Sequence, residues 1–101
     1  MSYFISPDAY LDLDEIWDDI ALDSPDAADH WIGRLFEAFE ALGQTPSMGH
    51  TRSDLTDFPV LFWPVGRYMV IYLIDREEAV EIVAVSQGSR DIPLLLRRKA
   101  H

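Results

Sequence analysis

A chain of 101 residues, 49% hydrophobic and 12% aromatic, can build one core and is too apolar to stay disordered, yet no apolar run approaches the roughly 18 residues of a membrane span. Its net charge of −10 is lopsided, since residues 1–46 hold eleven of the eighteen carboxylates against one base, Arg34, while the remainder carries seven of each sign. The first half repels phosphate, which argues against non-specific nucleic-acid binding, and the lack of cysteine excludes disulfides, thiolate metal sites and a cysteine nucleophile.

In chain order, Tyr3-Phe4-Ile5 is a short strand candidate that stops at Ser6-Pro7-Asp8-Ala9. The opening MSYFISPDAY lacks the basic-then-apolar layout of a signal peptide, and the expected location is a reducing cytoplasm. Ser6 can cap a helix, Pro7 fits its first turn, and Asp8 faces the positive end of its dipole. Tyr10, Leu13, Ile16, Trp17 and Ile20 then form the expected apolar stripe, with Asp12, Asp14, Glu15, Asp18 and Asp19 on the other side. The same start signal returns as Ser24-Pro25-Asp26-Ala27. It begins a second helix with Ala28, Trp31, Leu35, Phe39 and Leu42 on the apolar face and Gly43 as its stop.

Gln44 to Asp57 reads as a loop long enough to carry contacts. Val60 to Trp63, bracketed by Pro59 and Pro64, makes a brief strand at an edge, where proline is tolerated. Tyr68 to Ile74 is apolar on both parities and so should be a central strand covered on both faces. A charged hairpin loop, Asp75 to Glu78, leads into a partly wet strand over Ala79 to Ser86. After Arg90-Asp91, Ile92 to Leu96 starts a last helical turn and Arg97-Arg98-Lys99 trails as a basic tail. The expected fold is a single α+β domain, β-α-α-β-β-β, with a helical hairpin packed on a small, mostly antiparallel sheet. Truncation after Asp91 should leave that core folded, at a cost of about a few kcal/mol if Leu94 to Leu96 are buried.

Little in the chain suggests catalysis. The carboxylates lie on the solvent stripe of a helix, the three histidines, His30, His50 and His101, have no ligand spacing, and no GxSxG elbow or Gly-rich phosphate loop is present. No metal or other cofactor is expected. The remaining polar constellation is Arg52, Arg67, Tyr68 and Arg90, with His50 near the first. A hairpin from 67 to 90 brings its two termini to one end of the sheet. Two readings stand: Tyr68 as core with Arg90 paired to a carboxylate, or an arginine cluster that recognises phosphate or a protein.

The succession Ser6-x-x-Ala9, Asp12-Leu13, Ile16, Ala28, Leu42, Pro46-x-x-Gly49-x-x-Arg52-x-Asp54-Leu55, Gly66-Arg67-Tyr68-x-x-x-Tyr72 and Arg90-Asp91 resembles the ParE branch of the RelE/ParE toxins of type II toxin–antitoxin systems. The resemblance implies a toxin held inactive in a hetero-oligomer with a co-expressed antitoxin, and ParE-like members poison DNA gyrase. It implies target binding by Arg67, Arg90, Leu95, Arg97 and Arg98, and antitoxin binding across the hairpin at Trp17, Ile20, Trp31 and Leu35. The alternatives are a RelE-like ribosome-dependent mRNA endonuclease, with Arg52, Arg67 and Arg90 as phosphate clamps, and a non-toxic interaction module on the same fold. Against the nuclease, nothing aromatic follows Arg90 and the only lysine is Lys99. An acidic toxin also departs from the basic toxins and acidic antitoxins expected of the family.

Overall fold

The computed structural model describes residues 3–87 and 91–99, the last two through their backbone. Strand β1 (Tyr3–Ile5) leads into helix α1 (Pro7–Ala21), and helix α2 (Pro25–Gln44) follows a short turn. A 3-10 turn over Pro46–Met48 precedes β2 (Leu61–Val65), β3 (Tyr68–Ile74), β4 (Val80–Gln87) and the helix α3 (Ile92–Lys99). The strand order is β1-β4-β3-β2, with β1 parallel to β4 and the other pairs antiparallel. The α+β reading and the β-α-α-β-β-β order hold.

Both helix starts follow from sequence chemistry. Ser6 Oγ accepts the Ala9 N–H and Ser24 Oγ accepts the Ala27 N–H, each at 3.1 Å, and a proline opens each first turn, where no donor is needed. Ser6 does more than cap. Its N–H donates to Ile82 O at 3.1 Å and its hydroxyl to Val83 O at 3.3 Å, so the β1–α1 junction is tied to β4.

The apolar stripes are narrower than the periodicity suggests. On α1 the buried residues are Ala9, Leu13 and Ile16, a seam with steps of four and three, while Tyr10 and Trp17 flank it and reach solvent. On α2 the buried set is Ala28, Leu35, Phe39, Leu42 and Gly43. Gly43 does not stop the helix, which runs on to Gln44 and ends at Thr45, whose N–H donates to Ala41 O. These faces pack on Val65, Tyr68, Val70, Tyr72, Val80, Ile82 and Val85 of the sheet, and each large buried side chain contributes on the order of 1.5–3 kcal/mol.

The other sheet face has its own core. Val60, Phe62, Ile71, Ala84, Ile92 and Leu96 form a second buried cluster, which is why β3 is apolar on both parities. This revises one expectation. Helix α3 is a full two turns whose Ile92 and Leu96 cover the sheet, so Arg97-Arg98-Lys99 continues a helix and does not trail as a tail. Strand β4 lies between β1 and β3 and is partly wet as expected, with Glu81, Val83 and Gln87 half-buried. The expectation for β2 holds: it is the edge, and Phe62 turns its N–H and C=O outward to His50, at 2.8 and 3.0 Å. Pro64 offers no donor there.

Candidate functional site

At the β2–β3 turn three elements meet. Gly66 and Arg67 make the two-residue connection, and Gly66 has φ +59°, a conformation that costs a residue with a Cβ about 1–2 kcal/mol. A Cβ there would also stand 2.6 Å from Cη2 of Trp31. The α2 indole therefore lies directly over the turn, and glycine is required on both counts. Trp31 also meets Tyr68 edge-on, with centroids 5.4 Å apart at 72°.

The two arginines complete a stack. The Arg34 guanidinium lies 4.5 Å from the Trp31 ring centroid and that of Arg67 lies 5.4 Å from the Tyr68 ring. Arg67 also donates from Nε and Nη2 to Tyr68 Oη at 3.3 and 3.2 Å. The adjacent Trp31 and Tyr68 rings are thus flanked by Arg34 and Arg67, which holds an exposed guanidinium in one orientation at little entropic cost. Tyr68 is core through its ring and a positioning group through its hydroxyl.

Arg52 is elsewhere. It forms a two-pronged ion pair with Asp54, at 2.9 and 2.8 Å, and this pairing raises the arginine's pKa and lowers the carboxylate's below its usual value. The antiparallel bridge His50↔Phe62 runs the chain from His50 to Arg52 towards the Leu61 end of β2, whereas Arg67 follows Val65 at the other end. Arg52 and Arg67 are therefore separated by the length of the strand and do not form one cluster. Arg90 lies outside the described residues, as does the side chain of Arg98. Arg97 is exposed on α3, beside a groove lined by Leu55, Thr56, Asp57, Phe58 and Pro93. Leu95 is half-buried against the second core, and Leu94 is the more exposed of the pair.

On the hairpin the expected partner-facing residues divide. Trp17 is 36% exposed and its indole N–H donates to Asp29 Oδ1 at 2.9 Å, which links α1 to α2. Ile20 is half-buried, and Trp31 is held by the stack. Leu35 is fully buried, so it has no surface to offer a partner. Its place in the stripe is simply the helix's innermost position. The reading from periodicity missed Leu11 and Leu22, 60% and 86% exposed, the first on α1 and the second at its C-cap in the turn to α2. Their signal was available, since both fall outside the stripe while being large and apolar.

Among the described residues no group of histidines, aspartates and glutamates could hold a metal ion, and no helix is long and apolar enough to cross a membrane. Asp12 does structural work: its Oδ2 accepts the Val85 N–H at 3.0 Å, on the stretch of β4 that β1 does not reach.

Comparison with known families finds one match that covers most of this architecture. The family model for the ParE toxin of type II toxin–antitoxin systems, parDE, fits residues 3–92. The chain belongs to the ParE toxin family. The match takes in both hairpin helices and all four strands and ends at the first residue of α3, so Arg97 lies beyond it. Among solved structures, a chromosomal ParDE toxin–antitoxin system from P. aeruginosa is similar with a TM-score of 0.71 at 21% identity, over 86% of this chain and 95% of that one. The toxin–antitoxin complex RelBE2 from Mycobacterium tuberculosis is similar with a TM-score of 0.61 at 23% identity, over 85% and 95%. At these identities the likeness concerns the fold. Curated proteins give no match.

Proposed function

We propose that this ParE family member is a toxin that acts on DNA gyrase in the cytoplasm, without catalysis of its own, and is neutralised by a cognate antitoxin docked on the helical hairpin. The observation that carries the target assignment is the Arg34–Trp31–Tyr68–Arg67 stack, which presents Arg67 as a fixed, exposed cation at a sheet end. Such a group suits recognition of a phosphate or carboxylate on a gyrase–DNA complex. Arg90, Arg97 and Arg98 are the remaining basic residues proposed for this contact, with Leu95 beside them in sequence. The separation of Arg52 from Arg67, and its pairing with Asp54, weighs against a nuclease built on those arginines.

For the antitoxin, Trp17, Leu11 and Leu22 supply apolar contact within a strongly acidic rim. A segment with an apolar stripe edged by Lys and Arg would fit it. The deciding experiment is a gyrase supercoiling and DNA-cleavage assay run beside a ribosome-bound mRNA cleavage assay. Gyrase poisoning that weakens on Arg67→Gln supports the reading. mRNA cleavage without gyrase inhibition replaces it with the nuclease, and silence in both assays leaves an interaction module.

A further inference from the structure

The sheet face opposite the hairpin is only partly covered by α3. Beside that helix, Phe58, Pro59, Val60, Leu73, Glu81, Val83 and Leu96 line an open groove of about 220 Å³. Phe4 extends its wall: Tyr3 and Ile5 pack into the hairpin-side core, so strand alternation turns Phe4 to this face, where it is 47% exposed. The register sets Phe4, Glu81 and Leu73 side by side across β1, β4 and β3. Phe58, 40% exposed, closes the other side and separates this groove from the one beside Arg97.

Glu81 is the anomaly. It is half-buried on an internal strand between two large apolar side chains; among the described residues its carboxylate has no hydrogen-bond or ion-pair partner, and its oxygens reach solvent. A segment covering the groove would strip that water, which is unfavourable for a carboxylate unless a cation joins it. Elsewhere this chain satisfies such groups: Asp12 takes the Val85 N–H and Asp75 takes those of Glu77 and Ala79.

We propose that this groove receives an apolar peptide segment of a partner protein that carries one lysine or arginine, with Glu81 selecting the charge. Charge argues for a foreign segment over a second copy. Two chains of −10 repel, and a two-fold contact through the groove would set one Glu81 against the other. The site is on the face away from the hairpin, so it stands whether or not an antitoxin docks there.

The test uses the full chain and two fluorescent peptides, each with two leucines on either side of a central residue that is lysine in one and glutamate in the other. The lysine peptide should bind about tenfold tighter or more, and its amide shifts should centre on Leu73, Glu81 and Val83. Glu81→Gln should abolish the preference, whereas Asp14→Asn, with the same change in net charge on the far helix, should retain it. Binding of neither peptide, equal binding, an equal loss in both variants, or shifts confined to the hairpin would overturn the proposal.

Discussion

The Tyr72 hydroxyl spans the 3-10 turn that follows α2, accepting the Gly49 N–H at 2.8 Å and donating to Pro46 O at 2.6 Å. A central strand thereby fixes the connection between the hairpin and the sheet edge. Gly49 is required for the approach, because a Cβ would stand 2.4 Å from that oxygen. Tyr72→Phe would leave a buried N–H without its acceptor and should cost about 1–3 kcal/mol in urea unfolding.

The same tyrosine makes stability depend on pH. Burial raises its pKa above the usual value, and the Gly49 hydrogen bond opposes this more weakly. The folded state then holds its proton to higher pH than the unfolded chain does. The contribution is complete below the unfolded value of about 10 and is lost as pH rises through the folded one. Melting temperature should fall above pH 10, and the fall should be shallower in Tyr72→Phe. Parallel curves for the two proteins would remove Tyr72 as the cause.

Gly66→Ala should be the more damaging glycine substitution at the candidate site. It combines a left-handed backbone with a clash against Trp31, and the expected loss is about 2–4 kcal/mol. Trp31→Ala in the same background should recover part of that loss, because it removes the clash and leaves only the backbone term. A double-mutant cycle reads the difference.

Gly33 offers the opposite case. It is exposed in the middle of α2, and a Cβ would meet nothing within 4 Å. Gly33→Ala should stabilise the fold by about 0.5–1 kcal/mol through helix propensity. If antitoxin affinity fell despite that gain, the partner would be shown to approach the α2 backbone here.

The architecture was legible in the sequence because its signals are local: two Ser-Pro-Asp-Ala helix starts, prolines that exclude β2 from the sheet interior, and a strand apolar on both parities. The second core was half legible, since β3 required a cover that the chain had to supply. It was missed because Ile92 to Leu96 is too short for periodicity to separate a docked helix from a fraying turn. The site was less legible. Sequence proximity suggested an arginine cluster, but which end of β2 each arginine reaches depends on register, and the His50↔Phe62 bridge sends Arg52 away from Arg67. Glu81 carries no sequence signal at all, because alternation places it on the face expected to meet water.

Helix α3 supplies the last prediction, and it weighs against the expectation that truncation after Asp91 leaves a folded core. Ile92 and Leu96 are buried against Val60, Phe62, Ile71 and Ala84, and deleting two such side chains from a core costs about 2–5 kcal/mol each. For a domain of this size that approaches the whole stability, so the truncated chain should unfold at or near growth temperature. Loss of toxicity on truncation would then report lost structure and say nothing of the target surface. Arg97→Glu separates the two, since Arg97 is exposed and none of the described side chains pairs with it. That variant should melt within about four degrees of the parent, to judge by surface substitutions of about 0.5 kcal/mol or less. Growth arrest on its induction should weaken if α3 meets the target. Arrest at full strength from a stably folded Arg97→Glu would confine the active surface to the sheet end that carries Arg67.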